Sequence, residues 1–217
     1  MAACAHVTSV TNTPDQLTAE QKQEILTRQE KRTKVSGTGF VSFSMNGKST
    51  AAPGVLLVEW PDRLRLEIQD PIGSILALLI VNGDSFWWEN RETKEALTGK
   101  VNHPELEKLL PFPVNPKFLI PGIMGRPNLE DEINISAYWK EVIHWKLKND
   151  ADVFFEDYAM RLGVQYPTVI RMLSGNKEEQ KKLEWQWKDW QPEQKIKEKN
   201  FQIPLEASKN LKLKKLF

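Results

Sequence analysis

The sequence is poor in cysteine, histidine and net charge, and it has no long apolar run. Each shortage removes a class of protein. A single cysteine, Cys4, excludes an internal disulfide framework and a multi-cysteine metal site. The three histidines, His6, His103 and His144, show no HExxH or other metal-ligand spacing, so each reads as an ordinary surface or packed residue. A formal net charge of +1 over 217 residues offers no general case for nucleic acid as a partner. No segment approaches the roughly 20 apolar residues of a membrane-spanning helix; the longest run, Ile75 to Val81, suits a strand.

Catalytic signatures are missing as well. There is no G-x-S-x-G elbow and no Walker loop, and Gly37-Thr38-Gly39 lacks the third glycine and the helix of a dinucleotide fingerprint. Glu130-Asp131-Glu132 sits in a polar loop, where a solvated face accounts for the carboxylates. No catalytic residue, metal or cofactor is expected, and the chain is read as not an enzyme.

What the sequence does hold is 40% hydrophobic and 27% charged residues, enough for one domain with a substantial core. Residues 5 to 15 are rich in Thr, Ser, Asn and Pro, a tether composition. Cys4 follows Met1-Ala2-Ala3, and small residues directly before a cysteine are what a bacterial lipoprotein signal leaves at its cleavage site. The plainer reading is an exposed cysteine in a frayed terminus. Thr18 with Gln21 resembles a capping box, and Ile25 and Leu26 give the helix that follows a small apolar face.

From about Val35 the hydrophobic period becomes two. Gly39, Val41 and Phe43 alternate with Phe40, Ser42 and Ser44, then Asn46-Gly47 supplies a hairpin turn. Further strands are expected at Val55 to Trp60, in Arg63 to Ile68, in Ile75 to Ile80 and at Ser85 to Glu89. Pro104 to Leu110 reads as a short helix and Asn115 to Met124 as an interrupted one, both apolar enough to lie across a curved sheet. Strands resume at Glu141 to Leu147, Val153 to Tyr158, Thr168 to Leu173, Leu183 to Asp189 and Ile196 to Ile203. Short strands at regular spacing, without long crossover helices, predict an antiparallel meander curling into a barrel or half-barrel.

The most prominent turn is Asp70-Pro71-Ile72-Gly73. Pro71 and Gly73 supply turn chemistry, yet Ile72, which should face water, is apolar. Leu64, Leu66 and Ile68 form the dry face of the strand that leads into it. Eight tryptophans could be stacking platforms, but most lie in strand patterns, such as Trp185 and Trp187, which point to one face. They read as a filled core or as the lining of an open cavity. The Lys-rich end, Leu211 to Phe217, reads equally as a membrane-surface anchor or a solvated tail.

Several segments taken in order resemble the LolB family of bacterial lipoprotein receptors. They are Ser36-Gly-Thr-Gly-Phe40, Trp60, Arg65-Leu-Glu-Ile-Gln-Asp-Pro-Ile-Gly-Ser74, Leu109-Leu-Pro-Phe-Pro-Val114 and Phe118-Leu-Ile-Pro-Gly-Ile-Met-Gly125. The likeness runs from about Val35 to Pro127. The resemblance implies a mainly β protein with short helices, an antiparallel open β-barrel closed by a helical plug in the LolA/LolB manner. It divides the chain into a tether (1–16) with its lipidation cysteine and a half-barrel domain (17–205), beyond which lies a basic amphipathic tail (206–217). It also implies a lipid anchor at Cys4, a membrane-insertion loop at Pro71, Ile72 and Gly73, and an acyl-chain cavity lined by Val41, Phe43, Leu64, Leu66, Ile68 and Leu79. Its implied partners are lipoprotein acyl chains, a LolA-like periplasmic carrier and the inner leaflet of the outer membrane, met by a monomer anchored on the periplasmic face. Asp70 and Ile72 depart from the family's usual Asn-Pro-Leu-Gly. Neither the basic tail nor the apolar character of both faces of strand 75 to 80 follows from the family pattern.

Overall fold

A computed structural model describes residues 18–45, 48–102, 116–126, 134–138, 142–146, 152–175, 181–204 and 211–216. The chain opens with α1 (Ala19–Glu30), whose capping box is complete: the Gln21 backbone N–H donates to Thr18 Oγ1 at 3.2 Å, and the Thr18 N–H to Gln21 Oε1 at 2.8 Å. Six strands follow as a meander: β1 (Lys34–Met45), β2 (Lys48–Glu59), β3 (Arg63–Gln69), β4 (Ile75–Asn82), β5 (Ser85–Asn90) and β6 (Glu95–Lys100). After α2 (Pro116–Met124) come β7 (Asn134–Tyr138), β8 (Val142–Lys146), β9 (Asp152–Arg161), β10 (Val164–Ser174) and β11 (Lys181–Pro192). A short 3₁₀ helix, Glu198–Phe201, precedes β12 (Lys212–Leu216).

The strands form one sheet in the order β12-β6-β5-β4-β3-β2-β1-β11-β10-β9-β8-β7. Two antiparallel meanders therefore meet at β1 and β11, and β12 and β7 are left as edges of an open sheet. The fold is mainly β with few short helices. At the seam the strands approach closely: a Cβ on Gly39 would run into the Gln186 carbonyl and come within 2.9 Å of the Trp185 ring. A glycine there lets Trp185 lie flat over β1.

Two faces of the sheet are buried over part of its width. On one, Leu64, Leu66 and Ile68 of β3 pack with Ala77, Leu79 and Val81 of β4, Phe86 and Trp88 of β5, and Trp185 and Trp187 of β11. Leu119, Ile120, Ile123 and Met124 of α2 belong to this inner cluster, and α2 contacts β2 and β10. Those strands lie three spacings apart, about 14 Å in a flat sheet, so α2 sits in the trough between them. On the opposite face a smaller outer cluster joins Leu78, Ile80, Trp87 and Ala96, and Ile203, Leu211 and Leu213 pack against it. The chain after β11 thus covers the back of β4, β5 and β6. This is why β4 is apolar on both faces.

Several expectations are corrected. Ile196 to Ile203 is not a strand: the lysines at 195, 197 and 199 are exposed, Ile196 is only half-buried, and the chain turns so that Phe201 is fully buried. The Asn200 carbonyl there accepts from Arg65 Nη1 at 3.2 Å. The end of the expected tail is a strand, β12, whose parallel pairing with β6 makes the sheet not wholly antiparallel. Strand β6 carries no clear alternation and is held by the ladders on either side of it. The helix expected at Pro104 to Leu110 and the Asn46-Gly47 turn lie outside the described residues.

Candidate functional site

Strand alternation puts all six expected cavity residues on the inner face. Val41, Leu64, Leu66, Ile68 and Leu79 are buried in the inner cluster, and Phe43 is partly buried against it. Val41, Leu64 and Leu66 also line a pocket completed by Leu56, Ile170, Met172 and Leu183, by Trp185, and by Leu119 and Ile123 of α2. Its free volume is about 10 Å³, the space of a single water. Among the described residues, Leu119 and Ile123 of α2 line one side of this pocket. Residues 183–187 alternate, which marks Leu183 and Trp185 as facing one way, whereas Ile170 and Met172 stand in a run of apolar residues without clean alternation. The segment Asn115 to Met124, expected to lie across the sheet from its apolar character, supplies Leu119 and Ile123 to the pocket.

The C-terminal end of α2 is held by a residue that sequence reasoning passed over. Arg32, two residues beyond α1, is only 2% exposed. Its Nε donates to the Gln165 carbonyl at 2.8 Å, and its Nη1 to the carbonyls of Met124 at 3.0 Å and Gly125 at 3.4 Å. Carbonyls left free at a helix end attract a cation. The guanidinium also lies over the rings of Tyr158 and Tyr166, at 5.9 and 5.4 Å. Burial pushes its pKa down from the ordinary arginine value, and the two tyrosines oppose that shift. Burial likewise pushes both tyrosine hydroxyls well above their usual value.

Next to it, the Tyr166 hydroxyl donates to Glu193 Oε1 at 3.0 Å or to the Lys34 carbonyl at 2.9 Å. Burial alone would raise the Glu193 carboxyl. Hydrogen bonds from the Thr33 hydroxyl and N–H, the Lys34 N–H and Tyr166 outweigh it and hold the carboxyl below its ordinary value. Arg126 donates to the Arg32 carbonyl at 3.3 Å and stacks over Trp60 at 4.6 Å.

The β3–β4 turn carries Ile72 at 89% exposure, with Pro71 and Gly73 also exposed. The turn is firmly built. Asp70 Oδ1 accepts from the N–H groups of Ser74 at 2.8 Å and Ile72 at 2.9 Å, and the Gly73 N–H donates to the Asp70 carbonyl at 3.0 Å. Those bonds, the Ser74 N–H foremost, hold the Asp70 carboxyl below its usual value. Gly73 has φ +89°, a conformation that β-branched residues avoid. Ile72 is therefore presented on a pre-formed tip.

A second apolar tip stands at the other end of the sheet. The β9–β10 turn exposes Leu162 (82%) and Met160 (65%), and Leu162 itself takes φ +50° before Gly163 at +74°. The registers through β1, β2, β3, β10 and β11 put this turn beside Lys34 and the Ile72 turn toward Phe43, so the tips point in opposite directions. Cys4 lies outside the described residues.

No family model matches the sequence, and no curated protein matches it either. Solved structures do share its fold. A LolA superfamily protein from Nitrosomonas europaea superposes with TM-score 0.51 at 13% identity, covering 87% of this chain and 99% of that one. A Vibrio parahaemolyticus domain, described as an outer membrane lipoprotein-sorting protein domain, gives 0.55 at 12% identity over 83% and 94%. A DUF1329 family protein from Desulfovibrio piger gives 0.56 at 10% identity over 82% and 95%. At these identities the likeness is one of fold: the chain has the open, mainly β architecture of a LolA superfamily protein.

Proposed function

We propose that this chain is a LolB-like receptor. It takes lipoprotein acyl chains from a LolA-like periplasmic carrier onto its inner apolar face and inserts them into the bacterial outer membrane, without enzymatic chemistry. In this reading it is a monomer, lipid-anchored through Cys4 at the periplasmic face of that membrane. The observation that carries the reading is Ile72, a large apolar side chain held out to solvent on a rigid turn. Such a residue costs solubility in water and gains stability among acyl chains.

Loading requires α2 to move, because the pocket holds no more than one water. Each apolar side chain α2 withdraws gives up about 1.5–3 kcal/mol of burial, while each methylene of an entering chain contributes about 0.8 kcal/mol. An acyl chain can thus replace α2. The same helix competes for the pocket afterwards and favours release into a bilayer, where the methylenes are equally well buried. The Arg32 hydrogen bonds to Met124 and Gly125 are the polar contacts that must open.

The test is Ile72→Glu in a reconstituted transfer from carrier-bound lipoprotein to outer-membrane vesicles. Binding of lipoprotein should persist while delivery is lost; delivery at the unsubstituted rate sinks the receptor reading. Mass spectrometry of the protein from its native membrane tests the acylation of Cys4. The closed pocket favours one other reading, a structural envelope protein with a filled interior. Failure to bind a fluorescent fatty-acid probe would select it.

A further inference from the structure

The polar cluster at the end of α1 is under-used by the fold. Arg32 is a buried cation, yet its hydrogen bonds go to three main-chain carbonyls, and among the described residues no carboxylate pairs with it. Three residues earlier, in the last turn of α1, Gln29 is 1% exposed, and neither its amide nitrogen nor its side-chain oxygen has a partner. The Tyr158 ring lies under the Arg32 guanidinium, with its hydroxyl buried beside that cation. Buried polar groups are nearly always satisfied, so an unpartnered buried amide three residues from an uncompensated buried cation calls for an explanation. The fold itself supplies none.

We propose that Arg32, Gln29 and Tyr158 form a head-group subsite beside the inner pocket, which lets the site also take amphiphiles with an oxyanion head. The guanidinium, the Gln29 amide N–H groups and the Tyr158 O–H are all donors, the complement that a carboxylate or phosphodiester needs. Gln29 Oε1 is left to accept from a hydroxyl or amide next to that head. The position is right for a tail as well: Arg32 touches the carbonyl of Met124, and the adjacent Ile123 lines the apolar pocket. An oxyanion at Arg32 would draw the guanidinium from the α2 carbonyls, so that binding the head and freeing the helix become one event. The inference rests on the reading of the inner face as an acyl-chain site, and adds anionic amphiphiles to the lipoprotein acyl chains it takes.

The experiment is competition against N-phenyl-1-naphthylamine fluorescence by sodium laurate, 1-dodecanol and sodium acetate, using the full chain and a Gln29→Leu/Tyr158→Phe double variant. Both substitutions keep the side chain's size and leave Arg32 in place. The unsubstituted chain should prefer laurate to dodecanol by about tenfold, and the double variant by no more than about threefold, with dodecanol affinity unchanged. Equal affinities for laurate and dodecanol in the unsubstituted chain overturn the subsite and leave the acyl-chain site intact. A preference undiminished in a folded double variant also overturns it, as does acetate competing as well as laurate. If neither twelve-carbon compound binds, the acyl-chain reading falls too. Should the double variant not fold, the laurate-to-dodecanol ratio of the unsubstituted chain decides.

Discussion

The inner and outer faces of β4 are built from the same residue types but covered by different devices. Leu79 and Val81 face inward into the cluster that α2 joins from its place between β2 and β10, the helix being held at its C-terminal end by one buried arginine. Leu78 and Ile80 face outward under a segment that packs Ile203, Leu211 and Leu213 against them and ends in a strand bonded to β6. The outer cover is part of the sheet's hydrogen-bond ladder, whereas the inner one is an appended helix. A cover of the second kind can be displaced without unpairing a strand, and this difference, rather than hydrophobicity, distinguishes the face suited to a ligand.

Substitutions of graded severity test that contrast. Leu79→Ala, at a fully buried inner position, should cost about 2–5 kcal/mol in urea unfolding; a cost under about 1 kcal/mol would mean the inner face is already loosely packed. Arg32→Met should cost about 1.5–3 kcal/mol and speed the uptake of an uncharged fluorescent probe. Slower or unchanged uptake would mean that α2 is not held by this residue. On the outer face, Leu213→Asp should cost about 1–2 kcal/mol while leaving probe uptake as it is. A faster uptake would couple the two faces and erase the distinction between their covers. Leu162→Asn should add about 0.5–1 kcal/mol, since asparagine tolerates the left-handed backbone that leucine resists; destabilisation would show that the second tip has a packing role. Ile72→Glu should change stability by less than about 0.5 kcal/mol, and a larger loss would make the tip structural.

The inner face was legible because alternation is a property of neighbouring residues. Leu64, Leu66 and Ile68 announce a dry face, as do Trp185 and Trp187, and the Asp70-Pro71-Ile72-Gly73 turn was readable with its anomaly. The outer cover was not, since Leu211 and Leu213 meet Leu78 and Ile80 across more than a hundred residues of chain, and pairing at that distance leaves no local mark. Arg32 was invisible for a related reason. Flanked by Lys31 and Thr33, it reads as part of a solvated helix end, and only the arrival of Met124, Tyr158 and Gln165 around it makes it interior. Ile196 to Ile203 misled because isoleucines seven apart suggest a strand, whereas the buried anchor is Phe201.

Because α2 stays attached to the chain at both ends, it behaves toward its own pocket as a tethered competitor with an effective concentration in about the millimolar range. A ligand's apparent affinity is its intrinsic affinity multiplied by the fraction of time the helix is away. If closure is favoured by about 4 kcal/mol, that fraction is about one in a thousand, and a chain that would bind the open pocket at nanomolar strength is held only at micromolar. Changing how firmly Arg32 grips the helix end would then retune every ligand by the same factor, with no change in any residue that touches the ligand's tail.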